Sequence, residues 1–363
     1  MTKRSKMQWS MLIEKSYLAI SDASALDLKA KSLPRGKLPI EVLRPILDSL
    51  KGNNLVVPPR IGIDVGISRT HGRYLVSSSD PITGTQTRMG WHAVNVSAND
   101  VATSGIMPDI INVVSLFPEG TQPNKIRRLM DEINKTARSL GITVAGGHTE
   151  ITPGLRNPIV VVTAIGSGKK FVTAANAKER DIILMTKYAG LEGTSIVARL
   201  NRVKEIVGAK TAKVGEELIS QLSIVREART AFRTNKVHAM HDVTEGGVIG
   251  AVLEMSLASD VGFELQTESI PIHSATKEIC EKLKLDPLKL IGSGSLLISC
   301  SAENVRSIIS ALSREGINCT QIGRFLPLSR GRKLWMGKER KTIKDISIED
   351  ELWRALSEYG NLS

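Results

Sequence analysis

The sequence has few aromatic residues and no long apolar run, and each shortage excludes a class of protein. Only 4% of its 363 residues are aromatic, which leaves little for nucleic-acid bases to stack on. No apolar run approaches the roughly 20 residues that cross a bilayer. The basic N-terminus is followed by a stretch, 8–20, that contains Glu14 and Lys15 and therefore lacks a clean signal-peptide core. We expect a cytoplasmic protein with no membrane association.

Cysteine is also scarce, and the three residues present do not form a metal-binding pattern. Cys280, Cys300 and Cys319 are odd in number and too widely spaced for a zinc knuckle. Apolar neighbours around Cys300 are typical of a core position. We expect three reduced thiols.

Positive charge is abundant but scattered. The formal net charge is +12 and the isoelectric point is near 9.6, values that invite a nucleic-acid interpretation. Only Arg330 to Lys341 forms a dense basic patch. With so few aromatics, a solvated basic surface or attraction to an anionic small substrate is favoured over nucleic-acid recognition. The sequence assigns no role to this patch or to residues 1–35.

Strand-like and helix-like segments alternate along most of the chain, which predicts a mixed α/β architecture. The length is sufficient for two domains. We expect an N-terminal extension over 1–35, a first domain over 36–168, a second domain over 175–335, and a tail over 336–363 with an amphipathic helix at 347–359 that covers core. Ser347 followed by Asp350 is a candidate capping pair for that helix. Further helices are predicted over 8–20, 40–50, 196–200 and 216–235, and a short strand over 142–145 ends in a glycine turn at 146–147.

One stretch, 91–105, predicts a buried helix with polar residues at its centre. Its alanines and valines leave almost no solvent face, yet it carries Asn99 and Asp100. A buried carboxylate costs several kcal/mol unless it is paired, hydrogen-bonded or metal-bound. Asp100 therefore needs a partner, and a hydrogen bond to backbone or a helix cap would serve as well as a metal.

Three further aspartates stand at predicted strand ends or glycine turns. Asp64 and Asp80 follow predicted strands, and Asp242 precedes a double glycine that opens a helix. Clustered carboxylates repel one another and are stabilised by hard divalent cations that also bind phosphate oxygens. If these side chains converge, they predict a magnesium site for a phosphorylated ligand.

Eight short segments, in one order over residues 36–335, resemble the aminoimidazole-ribonucleotide synthetase (PurM-like) superfamily. They are Gly36-Lys37-Leu38-Pro39, Gly62-Ile63-Asp64, Ser79-Asp80, Asn95 to Ala102, Gly146 to Thr149, Gly190 to Gly193, His241 to Gly247 and Gly292 to Ser295. The Asn-Asp-Val-Ala and Leu-Glu-Gly segments are most similar to the hydrogenase-maturation HypE branch and its archaeal relatives.

The resemblance implies an ATP-binding N-terminal domain whose sheet pairs with that of a second subunit to form a barrel, followed by a C-terminal α/β domain. Magnesium would bridge the ATP phosphates to Asp64, Asp80, Asp100 and Asp242. The residues implied to contact ATP or its phosphates are Gly62, Asn99, Gly146, Gly147, Thr149, Thr244, Gly246 and Gly247. The γ-phosphate would activate an oxygen of an acceptor. Neither the acceptor nor the catalytic residues are identified.

The chain departs from the family pattern at several positions. Ile63 stands where an acidic residue often precedes the first aspartate, His148 replaces the aspartate of Gly-Gly-Asp-Thr, and Glu245 replaces the usual arginine. No cysteine lies near the N-terminus, which disfavours the selenophosphate branch. The sequence ends at Ser363 rather than cysteine, so we expect no dehydration of a carboxamide carried on its own tail.

The leading hypothesis is therefore a HypE-related, ATP- and magnesium-dependent homodimeric enzyme that acts on a small-molecule or protein acceptor. Two alternatives stay open. One is a small-molecule kinase of the thiamine-monophosphate-kinase type. The other, favoured by His148 and Glu245, is a nucleotide-binding regulator without turnover.

Overall fold

A computed structural model describes residues 35–50, 54–83 and 87–360 of the chain. Pro39–Ser363 forms one compact unit. Its first element is helix α1 (Ile40–Ser49), as the apolar spacing predicts. The helix predicted over 8–20 lies outside the described residues.

The first half of the unit is built on a six-stranded sheet. Its strands are β1 (Leu55–Val57), β2 (Gly66–Thr70), β3 (Arg73–Ile82), β4 (Pro108–Phe117), β5 (Thr143–Ile151) and β6 (Ile159–Gly168). Their order is β1-β2-β3-β6-β4-β5. All neighbours are antiparallel except β4 and β5, which are parallel.

Besides α1, two helices of this half are described. Helix α2 (Met89–Thr103) is the stretch singled out by its apolar composition, and 13 of its 15 residues are buried. Helix α3 (Pro123–Ser139) is amphipathic and exposes its basic face. Helix α2 packs on β3 and β6, so the polar residues at its centre are placed beside the sheet.

Two sequence predictions in this half are wrong. Asp80 does not end a strand: β3 continues to Ile82, and Asp80 pairs with Val162. Gly146 and Gly147 do not form a turn after a short strand, because β5 runs on to Ile151. Parallel pairing of β5 with β4, including a register shift after Ile111, supplies backbone hydrogen bonds that the glycines themselves do not favour.

The second half is built on a seven-stranded sheet. Its strands are β7 (Ile182–Thr186), β8 (Ala239–Asp242), β9 (Gly262–Gln266), β10 (Leu296–Cys300), β11 (Cys319–Leu326), β12 (Arg332–Met336) and β13 (Glu339–Ile343), in the order β13-β12-β9-β11-β7-β10-β8. The helices are α4 (Leu191–Val197), α5 (Asn201–Val207), α6 (Ala209–Glu217), α7 (Val225–Arg233), α8 (Gly247–Ser259), α9 (Ser274–Leu283), α10 (Val305–Arg314) and α11 (Glu351–Tyr359).

Several boundaries differ from those predicted. The helix expected over 216–235 is interrupted between α6 and α7, where side chains from other elements bind the backbone of 221–224. The helix expected over 196–200 begins earlier, at Leu191. The basic patch overlaps the β12–β13 hairpin, which was not predicted because its basic residues obscure strand alternation. The tail helix is α11, and Asp350 rather than Ser347 caps it.

No helix in the described ranges is long and apolar enough to span a membrane. The three cysteines are free, and Cys280 and Cys300 are buried. Burial raises the pKa of each of these two thiols to about 12. They are therefore protonated, unreactive core residues at neutral pH.

Candidate functional site

The four aspartates singled out in the sequence converge at one place. Asp64 lies in the loop before β2, Asp80 in β3, Asp100 in α2, and Asp242 at the end of β8. The other three carboxylates all act electrostatically on Asp100. The first half of the unit thus contributes three carboxylates and the second half one, so the site lies where the two halves meet.

Asp100 shows how unfavourable this arrangement is without a cation. Burial raises the pKa of Asp100 well above its usual range, and repulsion by Asp80, Asp242 and Asp64 raises it further. One hydrogen bond opposes the shift, because the hydroxyl of Ser78 donates to Asp100 Oδ2 over 2.8 Å. The same hydroxyl lies 3.3 Å from Asp80 Oδ2 and links the two carboxylates.

Gly62 allows the loop carrying Asp64 to approach helix α8. Its φ of +73° is in the left-handed region, and a Cβ there would lie 2.4 Å from the backbone oxygen of Glu254. Only glycine fits so close to the helix. The structure thereby gives Gly62 a role in positioning Asp64, and its predicted contact with phosphate stays a prediction.

His241 lies among the carboxylates and is fully buried. Its Nδ1 is 3.3 Å from Asp64 Oδ2 and 3.7 Å from Asp242 Oδ1, and its Nε2 is 3.1 Å from Glu254 Oε2. Burial alone would lower the pKa of His241, but Asp64, Asp242 and Glu254 outweigh it and hold that pKa well above its usual value. These distances suit ion pairs, although neither ring nitrogen has the alignment of a hydrogen bond.

Asp242 is the strongest sign that the site takes a cation. Its side chain is completely buried, and neither carboxylate oxygen receives a hydrogen bond from residues 35–50, 54–83 or 87–360. A buried carboxylate in that state is costly unless a cation binds it. Asp64, His241 and Asp242 each offer a ligand atom, and these atoms lie within 4.8 Å of one another. The residues present therefore fit a divalent metal ion.

Asn99 connects the two halves of the unit beside this cluster. Its Nδ2 donates to the Leu222 carbonyl and its Oδ1 accepts from the Ile224 amide, each over 2.8 Å. Trp91 and His92, on the same helix, bond to Ile219 and Glu192. The Asn99 amide group is thus engaged in holding α2 against the second half. Its predicted contact with ATP stays a prediction.

The first glycine pair lies away from the aspartates of the same chain. Gly146, Gly147 and Thr149 are exposed on β5, three strands from β3 in the sheet. At about 4.8 Å per strand this separation is roughly 14 Å. A Cβ on Gly147 would lie 1.8 Å from the Val113 oxygen, so glycine is required there by packing. The phosphate contacts predicted for these three residues stay predictions.

The second glycine pair lies next to Asp242, but its amides are already engaged. The Gly246 amide donates to Asp350 Oδ2 over 2.6 Å, and the Gly247 amide donates to the Thr244 carbonyl over 3.1 Å. The Thr244 hydroxyl is buried and has no hydrogen-bond partner in the part of the chain that the structure describes. Of this turn, the Thr244 hydroxyl is therefore the group most available to a phosphate.

Three residues of the site were missed by sequence reasoning. His241 directly precedes Asp242, and Ser78 lies two residues before Asp80, so adjacency was an available signal. Glu254 is the only acidic residue within the apolar helix α8. That is the same anomaly that drew attention to Asp100.

Comparison with known proteins gives a consistent result over both halves. The AIR synthase related protein N-terminal domain matches residues 62–167, and the corresponding C-terminal domain matches residues 178–333. The carbamoyl dehydratase HypE of Escherichia coli is 27% identical over 243 residues, 64% of this chain and 68% of that protein.

Two further similarities extend over more of the chain. The selenide, water dikinase of Methanocaldococcus jannaschii is 24% identical over 320 residues, covering 82% of this chain and 89% of that protein. A hydrogenase maturation protein HypE solved in complex with ATP aligns with a TM-score of 0.66 at 20% identity, over 86% of this chain and 92% of that structure. The chain belongs to the AIR synthase related family, and its fold is that of HypE.

Proposed function

We propose that this protein is an ATP-dependent enzyme whose four clustered aspartates bind the ATP phosphates through divalent cations, magnesium in the ordinary case. The observation that carries the proposal is the convergence of these carboxylates on Asp100, together with the burial of Asp242 without hydrogen-bond donors from the described residues. Magnesium, when bound, would neutralise charge that develops on the phosphate oxygens.

The chain's own residues have defined tasks in this proposal. Asp64, Asp80, Asp100 and Asp242 would orient the phosphates, and Ser78 keeps Asp80 and Asp100 at a fixed separation. The buried Thr244 hydroxyl would donate to a phosphate oxygen. Positive charge entering the cluster would return Asp100 to its ionised form, because the repulsion that raises its pKa would be offset.

Transfer or displacement of the γ-phosphate would then activate an oxygen of the acceptor. Two relatives support this class of reaction: one is a carbamoyl dehydratase and the other is a selenide, water dikinase. The acceptor of this protein is a small molecule or a protein group still to be identified. Residues 35–50, 54–83 and 87–360 single out no catalytic base or nucleophile.

A homodimer formed through the N-terminal sheet belongs to the same proposal. Among the described strands, β5 is paired on one side only, and all but one of its nine residues are exposed. An open edge of this length is an aggregation hazard unless another chain covers it. Multi-angle light scattering at micromolar concentration should report a dimer, and a monomer would contradict this part of the proposal.

Calorimetry tests the ATP site itself. Wild-type protein should bind ATP with magnesium present and lose that binding in a chelator, and Asp100→Asn and Asp242→Asn should each weaken binding by at least about tenfold. Asp131→Asn, an exposed position on α3, is the matched control and should bind as wild type. Unchanged ATP affinity in both site variants would overturn the proposal.

A second experiment distinguishes an ATP-dependent enzyme from a nucleotide-binding regulator without turnover. It screens metabolite pools and candidate protein partners for compounds or proteins that stimulate ADP release. ATP-dependent turnover that Asp242→Asn abolishes supports the enzyme. Tight magnesium-dependent ATP binding without ADP release under any condition would instead favour the nucleotide-binding regulator.

A further inference from the structure

The corner of the site formed by Asp64, His241 and Asp242 differs chemically from the rest. Asp80, Asp100 and Ser78 offer only oxygen atoms, whereas His241 places an imidazole nitrogen among carboxylates. The ring is fully buried and cannot be a surface histidine that happens to lie nearby. Its position therefore requires a chemical explanation of its own.

The distances around Nδ1 suit a shared metal ion. Ligand atoms of one ion with bonds of about 2.1 Å are separated by roughly 3.0–3.5 Å when they occupy adjacent positions. Nδ1 lies 3.3 Å from Asp64 Oδ2 and 3.7 Å from Asp242 Oδ1, within a few tenths of an ångström of that spacing. Nδ1 makes no aligned hydrogen bond to either carboxylate, so a metal that replaces the Nδ1 proton would break no hydrogen bond.

The other ring nitrogen has the partner that a metal-ligating histidine normally has. Nε2 lies 3.1 Å from Glu254 Oε2, an ion-pair distance without hydrogen-bond alignment. A carboxylate behind the distal nitrogen fixes the tautomer and the ring orientation, and this carboxylate–histidine–metal arrangement recurs in metalloproteins. Glu254 itself is held in place by the close packing of α8 against Gly62.

We propose that His241 Nδ1 is a metal ligand together with Asp64 and Asp242, and that this corner prefers a first-row transition ion such as Mn²⁺ over Mg²⁺. Imidazole nitrogen favours transition ions, whereas carboxylate and phosphate oxygens suit Mg²⁺. The inference rests on the proposed function and refines it. Asp80 and Asp100, which offer only oxygen ligands, would bind the Mg²⁺ that contacts the phosphates. The bound dication takes over the charge-balancing role that a protonated ring has in the metal-free protein.

Electron spin echo spectroscopy of Mn²⁺ gives a readout independent of turnover. Full-length protein with Mn²⁺ and inorganic triphosphate, which contains no nitrogen, should show ¹⁴N modulation from a coordinated imidazole. His241→Gln should remove the modulation, whereas His148→Gln, at an exposed position on β5, should retain it. Wild-type protein alone decides the question if His241→Gln fails to fold.

The second readout is a competition experiment in which Mg²⁺ displaces bound Mn²⁺. The electron spin resonance signal of free Mn²⁺ measures the displacement. His241→Gln should weaken Mn²⁺ binding at least about tenfold relative to Mg²⁺ binding, and Glu254→Gln should weaken Mn²⁺ binding while the modulation persists.

The outcomes separate this inference from the proposed function. If Mn²⁺ binds and Asp242→Asn abolishes its binding, but wild-type protein shows no ¹⁴N modulation, the histidine ligand is overturned and the phosphate-binding aspartates stand. If Mn²⁺ does not bind, or if Asp242→Asn leaves its binding unchanged, both are overturned.

Discussion

Two buried aspartates of the second half, Asp242 at the end of β8 and Asp350 before α11, are placed in opposite surroundings. Asp350 accepts hydrogen bonds from three backbone amides, those of Leu352, Gly246 and Ile291, over 2.7, 2.6 and 3.3 Å. Asp242 accepts none from the described residues. Both side chains are almost completely buried, so burial alone does not distinguish them.

This difference in hydrogen bonding indicates that Asp350 stabilises the fold and that Asp242 binds a ligand. The bonds of Asp350 join the C-terminal segment to the glycine turn at Gly246 and to the loop at Ile291, as a structural residue would. Asp242 has no such donors among the described residues: it repels Asp100 and lies 3.7 Å from the His241 ring, a longer contact than any of the three amide bonds of Asp350. A buried carboxylate with so little hydrogen bonding is typical of a ligand-binding position. Substitutions at the two positions should therefore have opposite consequences.

The largest expected effect is on turnover at Asp242. Asp242→Asn should reduce ATP-dependent activity by at least about 100-fold, because losing one ligand removes several kcal/mol of charge stabilisation. Its melting temperature without metal should stay close to that of wild type, because the substitution removes both the repulsion of Asp100 and the ion pair with His241. Steady-state ADP release and calorimetric melting measure the two quantities. A variant with normal turnover and a lowered melting temperature would make Asp242 a structural residue like Asp350.

The next effect is on stability at Asp350. Asp350→Ala should lower the free energy of unfolding by about 3 kcal/mol, since it removes a helix cap and leaves buried amides of Gly246 and Ile291 without acceptors. Urea unfolding measures this loss, with Asp345→Ala, exposed five residues earlier, as the control. Magnesium-dependent ATP affinity of the folded fraction should stay within about threefold of wild type. A loss of ATP binding without a loss of stability would break the comparison.

The stability contributed by Asp350 should also depend on pH. Burial raises the pKa of Asp350 to about 7 from an ordinary 3.8, against the opposing effect of its three amide bonds. The folded protein therefore keeps the Asp350 proton to a higher pH than the unfolded chain does. This contribution is fully present below about pH 3.8 and is lost as the pH rises through about 7.

Wild type and Asp350→Asn, which cannot titrate, isolate this effect. Between pH 5 and pH 8 the unfolding free energy of wild type should fall more than that of the variant. Parallel pH profiles for the two proteins, obtained by urea unfolding, would contradict the assignment.

The smallest effect is expected at Asp100. In metal-free protein at pH 7, Asp100→Asn should raise the free energy of unfolding by about 1 kcal/mol, because burial and three neighbouring carboxylates disfavour its charge. Adding Mg²⁺ with ATP should reverse the order, since only wild type gains full stabilisation from the ligand. Thermal unfolding with and without ligand checks both signs, and a variant that is less stable in both conditions would be evidence for a purely structural Asp100.

The mixed α/β alternation could be predicted from the sequence. Each of the four aspartates also stood out locally, in an apolar helix, at a predicted strand end or beside glycines, but only the family resemblance implied that they share one site. The family resemblance supplied their common purpose. The strand boundaries around Gly146 could not be predicted from the sequence, because pairing of β5 with β4 overrides the turn preference of glycine.

The sequence also could not predict that Asn99 and Gly246 are hydrogen-bonded within the protein. Their partners, Leu222 and Ile224 for Asn99 and Asp350 for Gly246, lie more than 100 residues away in sequence. Residue type alone does not reveal whether a polar group is free for a ligand or already bonded to distant backbone.

A crystal structure of the protein with Mn²⁺ and a non-hydrolysable ATP analogue, read through the anomalous signal of manganese, tests the central claim most directly. We predict a manganese peak within about 2.5 Å of Asp242 and Asp64 oxygens, with the terminal phosphate of the analogue bridged to the aspartate cluster. Nucleotide bound elsewhere, with no anomalous peak among these aspartates, would contradict the account.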